Sequence, residues 1–287
     1  MTIFTSDKFL PGQSVDMKDI ITQTTPIISP FSTMMLSKTV RAEAPKISWL
    51  EEALDESSAV TLAEGGDAPE FVEDNMELLD NYCELLAATA TVSNTAQAST
   101  AVGIGDLLAK EVSKKTQSLK LRLENVLING TKGYNATTKM YTTGGILEQI
   151  HTNNRLTAAT PTQAEFENLL SKMYHAGTNY DMTVFLPANL KTIVNTFDSV
   201  TYLARDKFLG FDIELYSSVF GQVKFILSEK LQNKMFVVNP NYLELATLIP
   251  FHGTPQPLSG SKQSVFLEGQ YGLKLLNRKA AASLTIA

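Results

Sequence analysis

The sequence predicts an α+β fold in which one long helix runs through a chain built mostly of strands. Three observations carry this. First, Asp106–Asn129 holds helical period: Leu108, Val112, Leu119, Leu123, Val126 and Leu127 recur at spacings of three, four and seven, which puts them on one stripe of a helix. Second, short apolar runs bounded by Gly, Pro and Asn fill the second half of the chain, the pattern of strands. Third, two extended-looking segments, Lys46–Leu50 and Phe71–Leu85, flank Glu64-Gly65-Gly66-Asp67-Ala68-Pro69, which reads as a turn.

Composition bounds the rest. A length of 287 residues suits one large domain or two to three small ones. With 44% hydrophobic and 19% charged residues the chain is too apolar for disorder. A formal charge of −6 argues against a dedicated nucleic-acid binder. Cys83 is the one cysteine, so no intrachain disulfide forms, and a reducing compartment is the natural reading. The N-terminal MTIFTSDKFLPG lacks the apolar core of a signal peptide. Leu85–Gly105 is uncharged but crowded with Ser, Thr, Asn and Gln, so it is not read as a membrane span. The default location is the cytoplasm of the cell that makes it.

Taken in order, residues 1–44 read as a short helix near Met17–Thr22 followed by an extended arm. Pro26 and Pro30 disfavour helix at Thr25 and Ser29. Such an arm needs a surface to lie on, either its own domain or another molecule. Residues 45–84 read as a long two-stranded excursion. No Lys or Arg stands between Lys46 and Lys110, an interval that holds 13 acids; against the total of −6, the rest of the chain carries +7. A two-stranded ribbon is marginal in water by itself. Either it is a solvated acidic loop, or it is a charged clasp onto a basic surface of another subunit. A calcium site lacks the required D-x-[DN]-x-[DN]-G pattern.

Residues 85–105 read as a strand with small side chains and a glycine-containing approach to the helix. Asp106 is a good N-cap, and Gly130 a good stop, because glycine enters the left-handed conformation freely. On the helix, Lys110, Lys114, Gln117, Leu121 and Ile128 form a second stripe, basic and partly apolar. Gly130–Gly145 reads as a loop. Residues 146–239 read as a compact α/β unit. Thr162–Glu165 is a capping box opening a helix through Phe166, Leu169, Leu170, Met173 and Tyr174 to Gly177. Thr183–Leu186 is a buried strand, Ala188–Phe197 a helix, and Gly210–Tyr216, Gln222–Leu227 and Lys234–Val238 are strands. Leu243–Ile249, Gln263–Leu276 and Ala281–Ile286 return to strand character, with a Pro/Gly loop between the first two.

Catalytic motifs are missing. His151, His175 and His252 are scattered, no Cys/His cluster supports zinc, and neither G-x-S-x-G nor G-x-x-x-x-G-K-[ST] occurs. Gly103-Ile104-Gly105 lacks the third glycine of a dinucleotide fingerprint. Ser259-Gly260-Ser261-Lys262 matches S-x-x-K but sits in a Pro/Gly loop. Asn129-Gly130-Thr131 matches a glycosylation sequon without a secretory signal. The paired acids of 51–84 are the one feature suited to acid–base work. No catalytic residue, metal or cofactor is assigned.

The order of parts is the specific feature: arm, acidic two-stranded excursion, strand, long helix ending in Asn-Gly, α/β unit, returning strands. It resembles the major capsid proteins of tailed bacteriophages, of the Hong Kong 97 type. The segments that carry the resemblance are TTPIISPFSTMM, ISWLEEAL around Trp49, LENVLINGTKG, TTGGILEQI and VFLEGQYGLKLLNRKAAASLTIA, the last with Glu268 and Asn277. The resemblance implies an N-terminal arm at 1–44, an extended loop at 45–84, a peripheral domain from 85–135 and 240–287 with Asp106–Asn129 as spine helix, and an axial domain at 136–239. It further implies homo-pentamers and homo-hexamers tiling an icosahedral phage head, assembled in the bacterial host cytoplasm. The head encloses double-stranded DNA contacted non-specifically, with a portal, a separate scaffolding protein and no membrane. Some relatives cross-link subunits through a Lys–Asn bond; this loop has no lysine beyond Lys46, so none is expected.

Two other functions stay open. An encapsulin-type compartment shell shares the fold. A cytoplasmic α/β enzyme using 51–84 belongs to a different class. On the capsid reading, Glu70, Glu73 and Asp74 are expected to meet a neighbouring subunit at Lys110, Lys114, Leu121 and Ile128.

Overall fold

A segment expected to be extended opens the fold as a helix. In the computed structural model, which describes residues 29–53, 59–71, 75–99, 106–197, 202–208, 211–257 and 260–286, helix α1 spans Pro30–Leu36 with Pro30 in its first turn. Proline breaks the residue before it, and Ser29 is indeed non-helical at φ −138°, ψ 66°. At the first helical position, though, its missing N–H is not needed and its φ is preset. The extended arm is therefore corrected over 30–36. The helix expected at Met17–Thr22 lies outside the described residues.

There follow β1 (Thr39–Arg41), β2 (Lys46–Ala53), β3 (Asn75–Tyr82), β4 (Glu84–Ser93), the short α2 (Asn94–Ala98) and the long α3 (Leu107–Asn129). Next come β5 (Gly133–Asn135), β6 (Met140–Thr142), α4 (Ile146–Gln149), β7 (Arg155–Ala158), α5 (Gln163–His175), β8 (Met182–Leu186) and α6 (Ala188–Val194). The chain ends with β9 (Tyr202–Phe208), β10 (Phe211–Ser218), β11 (Gly221–Leu227), β12 (Lys234–Val238), β13 (Leu243–Pro255), β14 (Lys262–Leu275) and β15 (Ala281–Ile286). One four-stranded sheet has the order β1-β13-β14-β4, and β2 pairs with β3 alone.

Among the described residues the chain divides into two compact units, one drawn from 88–118 and 253–267, the other from 29–87, 119–252 and 268–286. In the first, Ser93 caps α2 through Ala96 N–H, and Thr91 and Ser264 share a hydroxyl hydrogen bond of 3.0 Å. Asp106 caps α3 as expected: its Oδ1 accepts from Ala109 N–H at 3.1 Å and from the Gln97 amide at 3.0 Å. The Gln97 hydrogen bond, followed by that from Ala109, holds its carboxyl below the usual range.

The second unit is built on a seven-stranded sheet, β7-β15-β12-β8-β11-β10-β9. Central β8 lies parallel to β11 and antiparallel to β12, and all five of its residues are buried. A strand buried on both faces needs cover on both. On one face α5 and α6 supply it: Phe166, Leu169, Leu170, Met173, Leu190 and Val194 pack with Met182, Val184, Met235 and Val237. On the other face Phe185 and Phe236 stack at 5.0 Å, and Phe31 of α1 stands edge-on to both, at 5.3 and 5.5 Å. The expected capping box is present at Thr162 and Glu165. Gly177, at φ +65°, lets the chain turn back so that Thr178 N–H reaches Met173 O.

Four further expectations change. Ala281–Ile286, expected with the returning strands of 240–287, instead lies between β7 and β12 in the seven-stranded sheet. Gly130–Gly145 is not a plain loop but carries the β5–β6 hairpin, turned by Asn135, whose side chain accepts from Thr137 and Thr138 N–H. β13 runs on through Pro250 to Pro255. Gly130 is not left-handed; glycine is needed there for space, since a Cβ would come within 2.4 Å of Thr143 O and Val126 O. No described helix is long and apolar enough to cross a membrane.

Candidate assembly surfaces

The β2–β3 ribbon runs in unbroken antiparallel register from Lys46↔Tyr82 to Ala53↔Asn75. Alternation therefore sorts its side chains onto two faces. One face carries Ile47, Trp49, Glu51, Glu77, Leu79 and Asn81, and it is fastened to the chain's own body. Trp49 Nε1–H donates to Leu275 O at 3.1 Å. The buried Asn81 amide donates to Thr143 Oγ1, Gly144 O and Leu273 O and accepts from Gly144 N–H. Arg278 grips both strands: its backbone N–H and Nε reach Glu51 at 2.9 and 2.6 Å, and its Nη2 reaches Glu77.

The other face is different. At its root Asp80 holds Lys132 and Lys46, and the Lys132 bond leads in keeping its carboxyl below the usual range. Tyr82 there packs at a tilt against Tyr134 and Tyr141 of the β5–β6 hairpin, which stack on each other. Farther out, Leu50 and Leu78 face each other across the strands, 62% and 66% exposed, with Met76 at 56% beside them. The pair is an apolar strip left open to solvent. Beyond it the chain turns at Ala63–Gly66, where Gly66 N–H donates to Ala63 O, and Val60, Leu62 and Phe71 are exposed too.

A second apolar surface lies at the edge strand β1. Leu36, Val40, Leu248, Phe251 and Tyr271 line a groove of about 560 Å³ there. Cys83, by contrast, is wholly buried, and burial pushes its thiol up to about 11.

The expected contact residues divide. Glu70 is exposed, whereas Glu73 and Asp74 lie outside the described residues. On α3, Lys110 is half-buried, Lys114 is exposed and ion-paired to Glu111 at 2.7 Å, and Leu121 is half-buried. Ile128 is wholly buried and is withdrawn from the open stripe. The reason is local: Gly145 N–H bonds back to Gly130 O, and a Cβ on Gly145 would meet Ile128 O at 2.6 Å. The segment after the helix folds over its last turn. Leu119, Leu123, Val126 and Leu127 are buried as expected, but Leu108 and Val112 only partly.

Sequence reading missed Glu124 and Arg278. Glu124 is wholly buried and its carboxyl accepts Phe31 and Ser32 N–H. Its signal was an acid inside the apolar run from Leu123 to Ile128. Arg278 carried no local signal, since its partner Glu51 stands 227 residues away.

The paired acids have limited chemical freedom. A cavity of about 380 Å³ gathers Glu51, Glu52, Glu77, His151, His175 and Arg278, yet Glu51 and Glu77 are committed to Arg278. Among the described residues no group of His, Cys, Asp and Glu is placed to hold a metal ion. Ser259, which opens the S-x-x-K match that the sequence gives no reason to read as a nucleophile, lies outside the described residues.

Residues 4–287 match the family model of the SU10 major capsid protein. The chain belongs to that family. As a capsid subunit it is a structural component of the virion shell, built from many copies of itself. Its fold is of the Hong Kong 97 type, similar to the capsid of cyanophage A-1(L) with a TM-score of 0.69 at 9% identity, covering 98% of this chain and 99% of that one. The capsid of a native GTA particle matches at 0.67 and 13% identity over 100% of both chains. The holo-SrpI encapsulin complex from Synechococcus elongatus PCC 7942 matches at 0.60 and 11% identity, covering 93% of this capsid subunit and 91% of that chain. At such identities the likeness is one of fold. No curated protein matches the sequence.

Proposed function

We propose that copies of this subunit assemble as pentamers and hexamers into an icosahedral head around double-stranded DNA, in the bacterial host cytoplasm, without catalytic turnover. Residues 85–135 and 240–280 serve as peripheral domain and 136–239 with β15 as axial domain. A portal and a separate scaffolding protein take part, and DNA is contacted non-specifically. The observation that carries this reading is the two-faced ribbon. Its inner face is fastened by Trp49, Asn81 and Arg278, while its outer face presents Leu50, Leu78 and Met76 to solvent. Contiguous exposed apolar surface marks an interaction site, and a second copy is the partner a shell supplies.

The acidic end of the ribbon adds a weaker clasp, Glu70, Glu73 and Asp74 on the Lys110, Lys114 and Leu121 face of a neighbour's α3. Electron microscopy of the purified chain tests the reading. Wild type is expected to form closed particles, and L50S/L78S to stay as folded small oligomers. A discrete dimer under all assembly conditions overturns the shell reading, and closed particles from L50S/L78S overturn the role of the strip. Particles filled with protein cargo in place of DNA point to an encapsulin-type compartment.

A further inference from the structure

Helix α1 has a cap that does not come from its own sequence. Ser29 stands at the N-cap position, yet its hydroxyl makes no cap bond, and its buried Oγ finds no partner among the described residues. The carboxyl of Glu124 on α3, 93 residues beyond Phe31, takes that role. Oε1 accepts Phe31 N–H at 3.2 Å and Oε2 accepts Ser32 N–H at 2.5 Å, while Ser228 Oγ lies 3.5 Å from Oε1. Glu124 is 0% exposed. A buried carboxyl needs donors, and buried amide hydrogens need acceptors. Here each satisfies the other, so neither α1 nor this part of α3 is complete alone.

The same helix end presents Phe31 to Phe185 and Phe236. Apolar contact of this kind holds α1 against the sheet but leaves sliding and rotation cheap. Two hydrogen bonds to one fixed carboxyl remove that freedom.

We propose that Glu124 is the positioning residue of the N-terminal arm: it locks α1 in one place on the seven-stranded sheet and so fixes the point from which residues 1–28 begin. A shell needs each copy to present its arm at the same point, since a neighbour's contacts are set by that geometry. The lock itself is a property of the single subunit; its effect on assembly rests on the shell reading above.

Hydrogen exchange on the unassembled subunit tests the lock. In E124Q one oxygen is replaced by an NH₂ that opposes an amide N–H, so opening of residues 30–36 is expected to rise about tenfold to a hundredfold, the span that charge-assisted hydrogen bonds command. Exchange in 182–186 and 234–238 is expected to stay as in wild type. Should E124Q fail to fold, E124D keeps the charge but draws it out of reach, and the same selective loss is expected. Unchanged exchange at 30–36, or an equal rise throughout the sheet, overturns the proposal. The assembly arm is read by the fraction of subunits in closed particles. A fall in E124Q is expected. Wild-type yield from E124Q with α1 demonstrably released overturns the positioning role, whereas wild type that forms no particles counts against the shell reading and leaves the exchange result to judge the lock.

Discussion

The seven-stranded sheet and the β2–β3 ribbon are both β-structure, yet they keep their shape by different means. The sheet is covered on each face by its own chain, α5 and α6 on one and Phe31 on the other. Its central strand has no exposed residue. The ribbon has one covered face, where Ile47 and Trp49 join a small apolar cluster with Ala42, Cys83, Ala246 and Leu248 and the Trp49 indole N–H, the Asn81 amide and the Arg278 guanidinium tie segments distant in sequence. Its other face, beyond the Asp80 and Tyr82 contacts at the root, exposes Leu50, Leu78 and Met76. The sheet is thus finished within one molecule. The ribbon is held in place by its own molecule but left unfinished, which suits an element whose second surface arrives with a neighbour.

That contrast can be broken from either side. The largest effect is expected from F236A. It removes a ring stacked on Phe185 and edge-on to Phe31, and loss of a buried phenyl costs about 3–5 kcal/mol. Urea unfolding followed by two probes, one in the sheet and one on the ribbon, should show both shift together. A ribbon probe that stays put would mean the ribbon stands without the sheet.

R278A comes next. It strands Glu51 and Glu77 and should cost about 1–2 kcal/mol, discounted because Glu77 is half in solvent. Hydrogen exchange is expected to rise across 46–53 and 75–82 with little change in 182–186. A uniform rise would make Arg278 a general core residue and not the ribbon's clamp.

The pH dependence is smaller and its sign is specific. Burial outweighs the hydrogen bonds from Ser32 and Phe31 and holds the Glu124 carboxyl above the usual range. The folded subunit therefore binds that proton more tightly than the unfolded chain. This contribution is fully present below the unfolded value and is lost as pH rises through the folded one. Relative to E124Q, wild type should lose stability as pH is raised from about 4.3 toward neutrality. A relative loss on acidification would instead show the amide donors winning over burial.

The smallest effect belongs to the acidic end. Neutralising Glu70, Glu73 and Asp74 together should leave the subunit's stability unchanged and weaken only salt-sensitive assembly, since exposed pairs contribute about 0–1 kcal/mol each. Assembly with wild-type yield and wild-type salt dependence would remove the clasp.

Much of this fold is written locally. The period of α3, its Asp106 cap, the Thr162–Glu165 box and the apolar run of β8 are all properties of neighbouring residues, and each is found where the sequence puts it. The ribbon was readable because its strands flank a glycine turn and carry one sign of charge. What was not readable is what joins distant segments. Nothing near Ala281 says that β15 enters the sheet beside β12. Nothing near Pro30 says that a glutamate 93 residues beyond Phe31 will cap its helix, and proline by itself reads only as a breaker. Ile128 looked open because helical period describes one stripe and is silent about a chain that folds back over the other. On the ribbon the acids drew attention by number, yet Glu51 and Glu77 turn inward to Arg278, and the outward face depends on two leucines that sequence alone does not distinguish from core.

The bare leucine pair sets a concentration scale. Covering Leu50 and Leu78 is worth about 3–6 kcal/mol before any cost of immobilising a partner. Even with no such cost, a gain of that size corresponds to a dissociation constant between about 6 mM and about 40 μM, and any cost weakens it further. On the shell reading, a pair of copies would fall apart at dilutions where a closed ring, in which every copy both gives and receives the contact, persists. Such a subunit should show a threshold: dispersed below it, with added protein going almost wholly into finished particles above it, much as surfactant beyond its critical point goes into micelles.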